Sequence, residues 1–177
     1  MAKTNIHFDI DWQSLRRVLM EYGEYFIQQA RNDLGSNRSY ASGKLGDTME
    51  TDVQIYDDHY EVNIILQDYW KYVDNGRNPG KFPPPNKIKE WIQIKPVTPY
   101  PGKNGKLPTT DQLAFLIGRK IATKGIDPAP FFKKNIRPTE EHFKEAIALA
   151  IDEDVARWIE TEVLQKAIYE DLFSVFK

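Results

Sequence analysis

Between Asp68 and Ile94 the chain reads DYWKYVDNGRNPGKFPPPNKIKEWIQI. This stretch limits the fold more than any other. Pro83, Pro84 and Pro85 each fix φ and remove a backbone donor, so the segment is stiff and cannot pair into the interior of a sheet. It opens on an aromatic cluster (Tyr69, Trp70, Tyr72), turns at Asn75-Gly76, and carries Arg77 and Lys81 before re-entering a helix over 86–94. A stiff loop bearing aromatic rings and cations suits a contact surface better than a catalytic pocket.

Around it the hydrophobic periodicity predicts a mixed α+β fold. From Asp11, the residues Trp12, Leu15, Val18, Leu19, Tyr22, Phe26, Ile27 and Ala30 recur at steps of three and four, the spacing of one helical face, and the pattern stops near Leu34-Gly35. Asp11 or Asp9 is placed to cap this helix. Residues 36–43 are small and polar, the profile of a mobile loop. Thr51–Tyr56 and Tyr60–Leu66 then alternate, with Val53 and Ile55 on one face of the first run and Tyr60, Val62, Ile64 and Leu66 on one face of the second. Asp57-Asp58-His59 between them predicts a hairpin turn. Two strands alone are marginal, so the hairpin needs helices to lie on. Tyr69–Val73 reads as one helical turn or as the end of the second strand.

Six prolines and glycines make residues 95–109 a long loop. Thr109 or Thr110 then looks like an N-cap with Gln112 in the first turn, followed by a helix with Leu113, Leu116, Ile117 and Ile121 on one face that closes at Gly125. Asp127-Pro128-Ala129-Pro130 is a rigid link into Phe131-Phe132. Pro138 is expected to break a helix or to start the next one. From Thr139 a long helix follows, with Phe143, Ile147, Ile151, Val155, Trp158, Ile159, Val163, Ala167, Ile168 and Leu172 in its apolar stripe, and an aromatic tail of Tyr169, Phe173 and Phe176. The predicted architecture is a small antiparallel hairpin or sheet packed against the N-terminal helix and the central 110–124 helix, with a long C-terminal helix. A domain over 1–136 and a helical extension over 137–177, packed on it or on a neighbour, account for the 177 residues.

Composition excludes several kinds of chemistry. There is no cysteine, hence no disulfide, no thiol nucleophile and no cysteine-ligated metal. A formal charge of −2 argues against naked nucleic acid as the main partner. The first residues contain no apolar leader segment and no later run has the length of a membrane span, so the chain is expected to be soluble and made in the cytoplasm. The Gly102–Thr109 run, GKNGKLPT, has neither the spacing of a phosphate loop nor a hydroxyl after its Gly-Lys. His7, near Asp9 and Asp11, and His59, beside Asp57 and Asp58, invite a metal or nuclease hypothesis, but Asp is favoured in turns for local hydrogen bonding and adjacent side chains diverge. His142 follows Glu140 and Glu141 in a first helical turn, where acids suit the helix dipole. Asp152-Glu153-Asp154 spreads around a helix and reads as a solvated face or a repulsive lining toward DNA. Neither a metal nor a cofactor is expected, and no enzyme activity.

One resemblance gives the pattern a direction. Tyr69-x-x-Tyr72-Val73-Asp74-Asn75-Gly76, followed by Arg77-x-Pro79-Gly80-Lys81 and Pro83-Pro84, resembles the central signature of the tail-completion proteins (minor tail, head–tail joining, neck) of tailed bacteriophages. The usual form there has Glu where this chain has Asp74. The resemblance continues upstream through Ser42-Gly43-Lys44-Leu45 and downstream through 87–91, 114–125 and Pro130-Phe131-Phe132; it covers about residues 42 to 136. It implies a structural virion component, assembled in the host cytoplasm, that forms or joins a ring between the portal or head-completion proteins and the tail tube or its terminator. DNA would pass the channel without sequence-specific binding, and no membrane is involved. Carried over position by position, the interface residues are Tyr69, Tyr72, Val73, Asp74, Gly76, Arg77, Lys81, Phe131 and Phe132. The alternative is a nucleic-acid-binding module using the cations Arg77, Lys81, Lys87, Lys89, Lys95, Lys103 and Lys106 with Trp70, Trp91 and Tyr100 among them.

Overall fold

The computed structural model describes residues 10–36, 43–56, 58–94, 97–102 and 105–168. The N-terminal arm with His7 and Asp9, most of the small polar loop, Asp57, Lys95, Lys103 and the aromatic tail from Tyr169 lie outside the described residues. Elements follow in the order α1 (Gln13–Ser36), α2 (Lys44–Asp47), β1 (Glu50–Ile55), β2 (Tyr60–Ile65), α3 (Trp70–Asn75), α4 (Pro85–Ile94), α5 (Thr110–Lys124) and α6 (Lys133–Trp158), with a π-helical turn over Ile159–Leu164. The fold is mixed α+β, with a two-stranded antiparallel sheet, an N-terminal helix packed against it and a long C-terminal helix.

The chain forms two units, Met1–Tyr25 with Thr51–Ile64 and Arg137–Lys177, and Phe26–Glu50 with Ile65–Ile136. The residues from Arg137 onward thus share a unit with the start of α1 and the hairpin. In that first unit Leu15 and Leu19 of α1 and Val53 of β1 are buried together, with Trp12, Ile55, Val62, Ile147 and Ile151 packed around them. The alternation anticipated in both strands does this: it turns Val53, Ile55 and Val62 toward one apolar stripe of α1. Tyr22 and Tyr25 meet Phe143 edge-on, each at 5.6 Å between ring centroids, and Tyr25 stacks on His142.

The N-terminus of α1 is capped from far along the chain. Asp11 accepts from Gln13, its carboxylate from the side-chain amide and its carbonyl from the backbone N–H, whereas the N–H groups of Ser14 and Leu15 donate to the two carboxylate oxygens of Asp154, at 3.0 and 2.9 Å. Arg157 completes the arrangement by donating to Asp154 at 2.9 Å and to the Ser14 hydroxyl at 3.0 Å. The acidic triplet is therefore not a uniform solvated face: Asp152 and Glu153 are exposed, but the Asp154 side chain is fully buried. Burial alone would raise the Asp154 pKa; hydrogen bonds from Leu15 and Ser14 and the Arg157 charge outweigh it, and the carboxyl lies below its ordinary range. A group whose folded pKa is depressed adds stability above its unfolded value, about 3.9, and that contribution is lost as pH falls through the folded pKa. Asp154→Asn is accordingly expected to cost about 2 kcal/mol near neutrality. Urea melts at descending pH should show the gap to the native chain closing below about pH 4. A gap that stays constant down to pH 2 would contradict this role.

In the second unit Phe26, Ile27, Ala30 and Leu34 of α1, Leu45 of α2, Met49, Ile88, Ala114, Ala129 and Phe131 are buried. Arg31 holds the α2 region by donating to the Gly46 carbonyl at 2.8 Å. Helices α4 and α5, the short helix after the proline run and the central helix, pack on each other. Pro85 opens α4, the position where its fixed φ fits and its missing donor costs nothing. Thr109 forms the expected capping box: its hydroxyl accepts from Gln112 N–H and its own N–H donates to Gln112.

Pro138 neither breaks nor starts the last helix. Helix α6 begins five residues earlier, at Lys133, and runs through it. The proline removes one donor, which leaves the carbonyl of Lys134, an exposed residue of the first turn, without its helical partner.

Candidate functional site

The signature segment builds a clasp inside the second unit. Helix α3 is only six residues long and could not stand alone. It is held because Asp74, 3% exposed, points its carboxylate at the start of α6. The Asp74 Oδ1 atom accepts the N–H groups of Phe131 at 2.9 Å and Phe132 at 2.8 Å. These donors precede Lys133 and have no partner within the helix, so an acid here satisfies them and the helix dipole together. The Val73 carbonyl takes the N–H of Ala129 at 3.0 Å, and Lys133 donates to the Asn75 side chain at 2.7 Å.

Beyond Asn75 the backbone must pass very close to the other strand of the clasp. Gly76 lies at φ 71°, and a Cβ there would stand 2.4 Å from the Ile126 carbonyl oxygen and 2.7 Å from the Pro128 nitrogen. Gly125, at φ 79°, faces it from the opposite side: a Cβ there would fall 2.1 Å from the Arg77 carbonyl oxygen. Only glycine meets both the positive φ and the lack of room. Between the two, Arg77 and Ile126 exchange both backbone hydrogen bonds, at 2.9 and 2.8 Å, as an isolated antiparallel bridge. Gly80 N–H then donates to Ala122 near the end of α5, at 2.8 Å.

The nine positions carried over by resemblance therefore divide by burial. Phe131 and Asp74 are interior, and Val73, Gly76, Arg77 and Phe132 are half-buried; Phe132 packs on Phe26 at 5.1 Å and Trp70 at 4.6 Å between ring centroids. Tyr69, Tyr72 and Lys81 are exposed, Tyr72 at 69% against 41% for Tyr69. Partial burial pushes the Tyr69 phenol up from its ordinary pKa. Asp74 and Phe131 thus serve the interior of this chain, and the surface offered outward is that of Tyr69, Tyr72 and Lys81. The clasp partners Gly125, Ile126 and Ala129 were not among the nine; Gly125 carried only the signal of a helix stop.

The cationic stretch is partly neutralised by its own neighbours. Lys87 pairs with Glu90 at 2.9 Å and Lys89 pairs with Asp111. The Arg77 guanidinium donates to the Lys81 carbonyl. At the hairpin turn His59 pairs with Asp58 at 2.6 Å and stacks on Tyr56; the Asp58 hydrogen bond raises the histidine pKa. Among the described residues no group of three histidine, aspartate or glutamate side chains is arranged to hold a metal ion, and no helix is long and apolar enough to cross a membrane.

Compared with family models, with curated proteins and with solved structures, the chain matches none.

Proposed function

We propose that the chain is a structural component of a tailed-phage neck, which forms or joins a ring connecting the portal or head-completion complex to the tail. The observation that carries this reading is the clasp itself. The segment that resembles the tail-completion signature is held rigid by Asp74, Gly76 and the Arg77–Ile126 bridge, and this fixed frame leaves Tyr69 and Tyr72 facing outward. Rigid, exposed aromatic side chains lose little freedom on docking and dominate binding energy at protein interfaces. A closed ring needs two different faces on each subunit. The same unit carries a second apolar patch at Leu107, Phe115 and Leu116, beside a cleft of about 500 Å³ that Pro108, Asp111 and Gln112 also line. No reaction is assigned to the chain, and the ion pairs within the cationic stretch weigh against nucleic acid as its ligand.

Capture of the chain on an immobilised portal ring tests this reading. Tyr72→Ala is expected to weaken capture about thirtyfold, about 2 kcal/mol, while the melting temperature stays that of the native chain, because an exposed side chain contributes little to folding. Capture unchanged by Tyr72→Ala and by Tyr69→Ala would remove the surface from the proposal.

A further inference from the structure

The first unit contains a cleft of about 580 Å³ that plays no part in the clasp. Its floor is apolar, made by Leu19 of α1, Val62 of β2 and Ile147 of α6. The phenols of Tyr22 and Tyr60 and three charged side chains of α6, Glu140, Glu141 and Lys144, complete it. None of these three forms an ion pair with a described residue within 4.0 Å, although Glu140 and Lys144 stand at the four-residue spacing that favours one. Two carboxylates against one ammonium leave the rim negative over an apolar floor. We propose that this cleft receives a basic side chain, arginine above all, presented by a partner protein: the aliphatic stem lies on Leu19, Val62 and Ile147, and the guanidinium sits against the Tyr22 and Tyr60 rings between Glu140 and Glu141.

Each part of the cleft answers a part of that side chain. Lysine and arginine lay their methylene stems along apolar surface while the charge stays at the edge. A planar guanidinium stacks on a phenol face and offers a carboxylate two parallel donors, which a compact ammonium does less well. The Tyr22 phenol is pushed above its ordinary pKa first by burial and then by the negative charge of Glu140, and the second of these causes is the one a guanidinium answers. Lys144 is the internal competitor for the same carboxylates. The cleft lies within the first unit and is tested on the free chain, so an empty cleft would leave the neck proposal standing.

The test is NMR titration of the full chain with butylguanidinium, read on the Tyr22 and Tyr60 ring signals, against butylurea, a neutral analogue of similar shape. Saturable shifts with butylguanidinium and at least about tenfold weaker binding of butylurea are expected, since a charge-assisted pair replaces a neutral one. The exposed pair Glu140→Gln with Glu141→Gln should weaken the guanidinium about tenfold or more, with unchanged melting, and Lys144→Gln should tighten it. The proposal is overturned if the shifts do not saturate, if butylurea binds equally, if the glutamine pair binds as the native chain does, or if Lys144→Gln weakens binding.

Discussion

Phe131→Ala is expected to lower the unfolding free energy by about 4 kcal/mol, the scale for truncating a fully buried phenylalanine. Phe131 has no exposed surface and meets Phe132 edge-on at 6.4 Å between ring centroids. Its backbone is committed on both sides as well: the N–H goes to Asp74 and the carbonyl accepts from Asn135 at 2.7 Å. Asn135 in turn donates to Asp33 at 2.7 Å, so this short stretch is tied to α1 as well as α3. The backbone therefore cannot follow the missing ring inward, and the cavity stays open. For a chain of this size the melting temperature should fall by roughly 10 °C. Urea denaturation checks the figure; a loss below about 1 kcal/mol would mean that the site collapses and that Phe131 is not a core residue.

Asp74→Ala is expected to cost about 3 kcal/mol, because two backbone N–H groups at the start of α6 lose their common acceptor in a buried place. Asp74→Asn separates charge from geometry. Both donors go to the one oxygen Oδ1, so an asparagine that presents its carbonyl there keeps both hydrogen bonds and loses only the charge. It should cost about 1 kcal/mol. Hydrogen exchange gives a local reading: the amides of Phe131 and Phe132 should lose protection in Asp74→Ala and keep most of it in Asp74→Asn. Equal losses in the two variants would show that the carboxylate acts through its charge alone.

Much of the local structure could be read from the sequence, since its causes are local. The capping box at Thr109, the alternation of Val53, Ile55 and Val62, and the helical face of Leu15, Leu19 and Phe26 each depend on residues a few positions apart. What escaped the reading has its cause far along the chain. The cap on α1 comes from a residue 140 positions away, and nothing near Ser14 announces it, whereas Asp11 is the right residue type close at hand. Asp74 and Phe131 are 57 apart, and a conspicuous acid and a conspicuous Phe-Phe pair read as surface anchors until their mutual hydrogen bond is seen. Pro138 misled for a related reason. The local rule forbids it inside a helix, but the Asp74 cap sets the start of α6 five residues earlier, and the helix runs on through the proline with one backbone bond fewer. Gly76 and Gly125 were each legible as a turn and a stop, but not as the two sides of one close backbone approach.

The proposed neck role rests on the exposed face of the clasp, and electron-microscope class averages of the chain mixed with a portal ring test it most directly. The account predicts an added closed layer with a central opening on the portal, and the loss of that layer in Tyr72→Ala. A portal ring that gains no density, from a chain that instead binds DNA with an affinity falling steeply with salt, would contradict it and move the assignment to the cationic stretch.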